Sequence, residues 1–294
     1  MNSRVIAERT VPKKIKKTPI VVSIINLKGG VGKTTIAALL ARYAAKKGLK
    51  VLAVDIDPQS NLSQALMTER EYSEFMENGE ASIVELLNDY KPPSQQRASP
   101  TSIRASQVEK QVGYDEDFHL IPSRFDFSDN LIESVKPDAR ALARFISKRM
   151  RKKDIILIDC APTESILTRT AYHASRYILV PVRTEFFSTI GFPLLKNSLD
   201  KFRSKNPAQA IDVCGVLINN CESTASPRGP HHQTAWDDIH EQAKKYEWPI
   251  MKNEMFLSRG YPKLMQESFP SHTGNAEPEF RRISDEFLAM LGLG

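Results

Sequence analysis

The sequence predicts an α/β protein with a single doubly wound, mostly parallel sheet and helices on both of its faces. Apolar, strand-like runs alternate with amphipathic, helix-like segments along the chain, an order that is typical of parallel sheets. A glycine-rich turn joins the first strand to the first helix. The 294 residues, 41% hydrophobic and 26% charged, provide enough apolar surface for one large globular core.

The first elements are predicted to form a βαβ unit. Residues 20–25 are a β-branched run interrupted only by Ser23, as expected for a buried parallel strand. Residues 34–47 place apolar side chains at helical spacing and end near Gly48, and residues 49–54 form a second apolar strand. A right-handed crossover between two parallel strands follows from this order.

The alternation continues towards the C-terminus. Strands are predicted at 118–121, 155–158, 177–180 and 213–218, and helices at 138–150, 190–202, 234–246 and 278–291. Residues 91–112 are rich in Pro, Ser and Gln and are predicted to be a loop within the domain. No apolar run approaches the roughly 18–20 residues that span a bilayer, so a cytoplasmic protein is expected.

Residues 1–19 differ in composition from the rest of the chain. Six basic residues stand there against Glu8 alone, which leaves about +1 of the formal charge of +6 for residues 20–294. Low hydrophobicity and clustered lysines predict a disordered basic tail ahead of one folded domain at 20–294. Any surface of that domain that binds DNA is expected to be a local basic patch.

The turn after the first strand has the pattern of a phosphate-binding loop. Gly32, Lys33 and Thr34 occupy the last positions of G-x-x-x-x-G-K-[ST], while Leu27 replaces the first glycine. Lys33 is predicted to contact the β- and γ-phosphates of a nucleotide, and the Thr34 hydroxyl to ligate Mg²⁺. Backbone N–H groups at the start of the helix complete the cradle, which predicts a nucleotide site at Gly29, Gly30, Val31, Gly32, Lys33, Thr34 and Thr35.

Carboxylates follow two of the apolar strands, where α/β sheets present their ligand-binding residues. Asp159 closes the strand at 155–158, the pattern of a Walker B element, and is predicted to hold Mg²⁺ opposite Thr34. Asp55 and Asp57 follow the second strand in the same way. The phosphate loop earlier in the chain favours a magnesium–nucleotide site over simple strand-end turns.

The segment from Lys28 to Thr35 resembles the deviant Walker A box of the SIMIBI-type P-loop NTPases, which include ParA, MinD, nitrogenase iron protein and ArsA. Residues 55–63 resemble the Walker A′ box of ParA. The resemblance implies that Lys28 reaches across an ATP-sandwich homodimer to the partner's phosphates. It also implies that Asp57 orients the attacking water while Asp55 supports the loop, so the candidate catalytic residues are Lys28, Lys33 and Asp57.

A further resemblance concerns Asn219, in the segment from Gly215 to Asn220. This segment is similar to a ParA-type segment. The similarity implies that Asn219 reads the adenine edge, since an amide both donates and accepts hydrogen bonds. An asparagine in a turn after a strand is the alternative interpretation.

Among these relatives the sequence favours the DNA-partitioning group. The three cysteines lack the spacing of metal ligands, which disfavours a redox protein. Asp285 and Glu286 lie on the polar side of the last helix, which disfavours lipid docking. The 19 residues ahead of the first strand cannot hold a helix-turn-helix domain, which disfavours the larger, promoter-binding class of ParA.

The resemblance therefore implies a nucleoid-associated ATPase that binds nonspecific DNA as an ATP dimer and is released when a ParB-like partner stimulates hydrolysis. Its cargo would be a plasmid or a chromosome origin. The alternatives are a nucleotide-switched positioning or scaffold protein for a protein cargo, and a MinD-like membrane-cycling ATPase. The candidate DNA contacts, each also explained as an ordinary solvated charge, are the tail lysines, Arg228, Lys263, Arg281 and Arg282.

Overall fold

In a computed structural model of the chain, the structure describes residues 18–89, 105–113, 115–125, 138–184, 191–221, 229–266 and 274–294. Most of the predicted basic tail lies outside these residues, as do Arg228 and the first part of the predicted 91–112 loop.

One eight-stranded sheet runs through the described residues. Its strands are β1 (Ile20–Ile24), β2 (Val51–Asp55), β3 (Lys110–Val112), β4 (Asp115–Ile121), β5 (Ile155–Asp159), β6 (Tyr177–Arg183), β7 (Asp212–Cys221) and β8 (Met255–Phe256). They lie in the order β3-β4-β2-β5-β1-β6-β7-β8. The strand pairs are parallel except that β3 runs antiparallel to β4, so the prediction of one mostly parallel sheet is confirmed.

Helices cover both faces of the sheet. They are α1 (Lys33–Lys46), α2 (Asn61–Leu66), α3 (Glu69–Glu77), α4 (Ile83–Asp89), α5 (Ala105–Val108), α6 (Ala141–Arg149), α7 (Ile166–Ala174), α8 (Gly191–Lys205), α9 (Pro230–Lys245), α10 (Gly260–Gln266) and α11 (Ala276–Met290). One hydrophobic core joins the sheet to α1, α10 and α11. A second core joins its other face to α4, α6, α7, α8 and α9.

Burial on both faces explains the sequence of the central strands. Every residue of β2 and of β5 is buried, so these strands are apolar throughout instead of alternating. Strand β1 lies between β5 and β6, and the chain leaves it on one side for β2 and later passes to the other side for β6. The carboxyl end of β1 is therefore a switch point of the topology, where open α/β sheets bind ligands.

The prediction of a loop over residues 91–112 was wrong for residues 105–108 and 110–112. Helix α5 and edge strand β3 form there, and β3 pairs with β4 through contacts such as Lys110 opposite Leu120. A strand of three residues is too short to show an apolar pattern in the sequence. Strand β3 forms because it pairs with β4, which lies further along the chain.

Besides α5, five helices were not predicted, namely α2, α3, α4, α7 and α10. Helix α3 begins with a capping box in which the Thr68 hydroxyl accepts from the Glu71 N–H while the Glu71 carboxylate accepts from the Thr68 N–H. Some helices begin at other residues than predicted. Helix α9 begins at Pro230, after Gly229, and not at residue 234, because proline suits the first helical position. Helix α6 begins three residues after Asp138, whose carboxylate accepts from the N–H of Arg140.

The last helix packs onto the sheet, as predicted. The apolar side chains of α11 at Phe280, Ile283 and Phe287 are buried in the core. On its polar side, Asp285 accepts a hydrogen bond from the Tyr43 hydroxyl at 2.8 Å and pairs with Lys47 at 2.9 Å. Within the residues that the structure describes, no helix combines the length and the apolar character needed to span a bilayer.

Candidate active site

The predicted nucleotide-site residues converge at the carboxyl ends of β1, β2 and β5. These strands are neighbours, with Ile24 opposite Asp159 and Asp55 opposite the same residue on the other side. The phosphate loop follows β1 directly. The parallel register therefore places the loop, the Asp55 segment and the Walker B carboxylate at one edge of the sheet.

The phosphate loop requires glycine at two positions. Gly30 and Gly32 have φ angles of +74° and +88°, in the left-handed region that a side chain disfavours. A Cβ at Gly32 would also lie 2.3 Å from Nδ2 of Asn219. The exposed Gly29 and Gly30 and the buried Val31 complete the loop, which ends in α1.

Lys33 lies buried at the start of α1. Its Nζ donates to the carbonyl oxygen of Lys28 at 3.0 Å. Burial lowers the pKa of the Lys33 ammonium, an effect that the nearby carboxylates of Asp159 and Asp57 oppose. The cation therefore contacts the loop backbone and is also stabilised by the nearby carboxylates.

Thr34 and Asp159 form an oxygen pair suited to Mg²⁺. The Thr34 hydroxyl donates to Oδ2 of Asp159 at 2.7 Å. Oδ1 of the fully buried Asp159 accepts no hydrogen bond, and burial, with the nearby Asp55, raises the pKa of this carboxyl well above its usual range. A cation would supply the partner that this buried oxygen lacks.

The donor set fits magnesium bound together with a nucleotide. In the described parts of the chain no three His, Cys, Asp or Glu side chains gather into a cage of their own. Mg²⁺ at phosphate sites takes one or two protein oxygens and completes its shell with phosphates and waters. Thr34 and Asp159 supply that number.

Asp55 is fixed more tightly than Asp57. Its fully buried carboxylate accepts from the Ser63 N–H at 2.8 Å, from the Ser63 hydroxyl at 2.7 Å and from the Asp57 N–H at 3.1 Å. Burial raises the pKa of Asp55 to about 7, although the hydrogen bonds from Ser63 oppose the rise. The Ser63 hydroxyl also accepts from the Ser123 N–H at 2.8 Å, which joins helix α2 to the loop after β4.

Asp57 is nearly buried at 7% exposure. One carboxylate oxygen accepts from the N–H of Gln59 at 2.9 Å, which turns the side chain along its own loop. Of the three predicted catalytic residues, Lys33 and Asp57 thus lie within electrostatic reach of one another. Their roles, and that of Lys28, stay predictions.

Two residues of the site were missed by the sequence prediction. Oδ1 of Asn26 accepts from the Lys28 N–H at 2.9 Å, and its Nδ2 donates to the Pro181 carbonyl at 2.8 Å. Arg183, at the end of β6, donates from Nη1 to the Gly30 carbonyl at 3.2 Å. Both are polar residues at strand ends, which is the signal that could have marked them.

Asn219 lies directly against the phosphate loop. Its Nδ2 donates to the Val31 carbonyl at 2.8 Å, and the side chain is buried. The structure thus brings Asn219 to the predicted nucleotide site, on the side of the loop that faces β7.

The candidate DNA contacts lie elsewhere. Lys263 on α10 and Arg281 and Arg282 on α11 are exposed, on neighbouring helices that pack on the α1 face of the sheet. Arg281 pairs with Glu277 of its own helix at 2.5 Å. Arg228 and the tail lysines lie outside the described residues.

Similarity to known proteins agrees with this geometry. A family model described as an AAA domain matches residues 20–211. The chromosome-partitioning ATPase Soj of Thermus thermophilus is 30% identical over 272 residues, which cover 91% of this chain and 95% of that protein.

Two solved structures share the fold. The ATP complex of a McdA variant from Cyanothece matches with a TM-score of 0.76 at 20% identity, over 95% of this chain and 98% of that one. A cobyrinic acid a,c-diamide synthase from Mycobacterium smegmatis, with ADP and magnesium bound, matches with a TM-score of 0.70 at 22% identity, over 94% of this chain and 96% of that one.

Proposed function

Because the chain belongs to the ParA/Soj family of partitioning ATPases, we propose that it hydrolyses ATP as a sandwich homodimer that binds nonspecific DNA. A ParB-like partner would stimulate hydrolysis and release the dimer from the nucleoid, with a plasmid or chromosome origin as cargo. Residues 20–294 would form the ATPase domain. The observation that carries the proposal is the lysine-bearing loop at the same sheet edge as Asp57 and the Thr34–Asp159 pair.

Nucleotide binding would use the loop backbone and two side chains. Lys33 would exchange its contact with the Lys28 carbonyl for the β- and γ-phosphates, because a phosphate is the stronger acceptor for an ammonium group. Thr34 and Asp159 would hold Mg²⁺, which neutralises charge on those phosphates. The helix dipole of α1 favours the same anion.

Hydrolysis would depend mainly on positioning, as phosphoryl transfer does in general. Asp57 would orient the attacking water, and the bonds from Ser63 to Asp55 would keep that segment in place. Lys28 of each subunit would approach the other subunit's γ-phosphate and stabilise its developing charge. Catalysis would therefore require the dimer.

The same dimer would control DNA binding. Two subunits joined by ATP present their basic surfaces together, and two linked surfaces bind a polyanion much more tightly than one. Loss of the γ-phosphate removes the contact with Lys28 across the interface and so separates the surfaces. The exposed Lys263, Arg281 and Arg282 are candidates for this surface, with Arg228 and the tail.

Sedimentation velocity tests the dimer. Wild-type protein with Mg²⁺ and ATP is expected to sediment as a dimer, and with ADP as a monomer. Lys28→Ala keeps the Lys28 backbone carbonyl that Lys33 contacts, so it is expected to bind ATP and stay monomeric. Lys46→Ala, an exposed lysine of α1, is the matched control. A wild-type monomer with ATP would contradict the proposal.

Turnover distinguishes a partitioning ATPase from a scaffold whose slow hydrolysis is only a timer. ATPase activity is measured alone, with random-sequence DNA, and with DNA plus the protein encoded by the neighbouring reading frame. The proposal predicts a marked rise when both are present. Activity that stays flat in every combination favours the positioning or scaffold protein.

A further inference from the structure

We infer that Arg183 and Asn219 are positioning residues that set the direction of two backbone N–H groups in the phosphate loop. The inference rests on the proposed function only in that phosphates bind at this loop. Neither residue needs to touch the nucleotide for this role. Arg183 has no assigned role in the family resemblance, and Asn219 was expected to read the base.

The two side chains come from neighbouring strands. Arg183 and Asn219 are direct register partners at the carboxyl ends of β6 and β7. They donate to successive carbonyls of the loop: Nη1 of Arg183 to Gly30 at 3.2 Å and Nδ2 of Asn219 to Val31 at 2.8 Å. One pair of strand ends thus holds two consecutive peptide groups.

Holding a carbonyl fixes the N–H of the same peptide group. In a trans peptide the C=O and the N–H point in opposite directions, and the described chain contains no cis peptide bond. The bond to the Gly30 carbonyl therefore turns the Val31 N–H away from β6, and the bond to the Val31 carbonyl turns the Gly32 N–H away from β7. Successive amides held in this way, with left-handed glycines at Gly30 and Gly32, can form an anion-binding nest.

The glycine conformations make this support necessary. Gly30 and Gly32 adopt φ angles of +74° and +88°, and free glycine samples many other angles. Without the two donors, the loop would have more conformational entropy to lose when it binds a phosphate. The affinity for the phosphate would therefore be lower. A carbonyl that accepts from a guanidinium also polarises its peptide group, which strengthens the opposite N–H as a donor.

Asn219 contacts the loop directly, and this contact uses one N–H of its amide group. Its amide nitrogen already donates to Val31, and it lies where a Cβ at Gly32 would clash at 2.3 Å. Such close packing fits a side chain that supports the backbone. The role therefore predicts an effect that is independent of the base.

The test compares three ligands by competition against a fluorescent ATP analogue: ATP, GTP and inorganic triphosphate, which has no base. Arg183→Ala and Asn219→Ala are each expected to weaken all three by the same factor, about tenfold. Arg183→Lys keeps one donor and is expected to restore part of the loss. Arg203→Ala is the matched control, because Arg203 also donates to a backbone carbonyl, that of Ile211 at 2.7 Å, away from the loop.

Each outcome has one meaning. Equal losses for the three ligands, partial rescue by lysine and an unchanged control support the inference. Asn219→Ala protein that loses affinity for ATP but not for triphosphate overturns the role of Asn219, and unchanged affinities in Arg183→Ala overturn that of Arg183. If the wild type and both variants bind ATP with equal affinity, the inference is overturned but the proposed function is not. Wild-type protein that binds none of the ligands overturns the proposed function as well.

Discussion

The candidate nucleotide site is built from buried residues, whereas the candidate DNA surface is built from exposed ones. At the sheet edge, buried side chains such as Asp55 and Lys33 bond to backbone groups at short distances. On α10 and α11, the candidate cations are exposed, and Arg281 is occupied by Glu277. Buried polar groups have large energetic effects when they lose a partner, whereas exposed ion pairs contribute about 0–1 kcal/mol.

The difference predicts how each region responds to change. Single substitutions at the sheet edge should have large, specific effects on nucleotide chemistry or folding. Single substitutions on the exposed helices should have small effects that add up and that depend on salt. A point substitution on α10 or α11 with an effect as large as those at the loop would contradict this difference between the two regions.

The largest expected effect is that of Lys33→Ala. Removing the buried ammonium group deletes the charge that would contact the phosphates, so ATP affinity should fall by about 100-fold or more. Isothermal titration calorimetry measures the loss. Lys46→Ala, at the exposed end of the same helix, should bind like wild type, and a Lys33→Ala protein that still binds ATP tightly would show that the loop is not the nucleotide site.

Asp57→Ala should separate binding from hydrolysis. Its turnover is expected to fall by about 100-fold or more, while ATP affinity changes little, so that the ATP dimer stays trapped on DNA. Single-turnover hydrolysis and the lifetime of the DNA complex are measured together. Asp237→Ala, an exposed aspartate on α9, is the control; normal turnover in Asp57→Ala would remove this residue from the catalytic set.

Ser63→Ala tests the buried network through stability. The substitution removes the hydroxyl that donates to Asp55 and accepts from the Ser123 N–H. Because both partners are buried and lose a hydrogen bond, the free energy of unfolding should fall by about 2 kcal/mol. Ser204→Ala, an exposed serine of α8, should change it by less than about 0.5 kcal/mol. Equal effects in urea titrations would contradict the contrast.

Deleting residues 1–18 should weaken DNA binding and leave ATP binding unchanged. This segment carries most of the formal charge, and each lost phosphate contact lowers the salt slope of binding by about 0.9. Fluorescence anisotropy at several salt concentrations measures affinity and slope. An unchanged slope would show that the tail takes no part.

The smallest effects are expected on the exposed helices. Lys263→Ala and Arg282→Ala should each lower the salt slope by about 1 and weaken binding severalfold. Arg281→Ala should do less, since Glu277 already neutralises that guanidinium. If Arg281→Ala has the largest effect of the three, the pair with Glu277 must open on DNA.

The sequence predicted the parts of the molecule whose pattern is local. Apolar runs such as Ile155–Asp159 predicted central strands, because burial on both faces requires them, and the loop from Lys28 to Thr35 carries its motif in consecutive residues. Strand β3 was missed because it depends on pairing with β4.

Arg183 and Asn26 were missed for a related reason. Arg183 meets the carbonyl of Gly30 from 153 residues away, and Asn26 meets that of Pro181 from 155 residues away. Only the strand order brings these groups together. A polar residue at a strand end indicates a site in general, but its partner is fixed by the neighbouring strand.

The affinity of the wild-type protein for random-sequence duplex DNA, measured with ATP and with ADP, shows whether the nucleotide controls DNA binding. The proposed function predicts tight binding with Mg²⁺ and ATP that weakens steeply between about 50 and 200 mM salt, and weak binding with ADP. Equal affinity for DNA in the two nucleotide states would contradict it, because the nucleotide site would then have no control over the DNA surface.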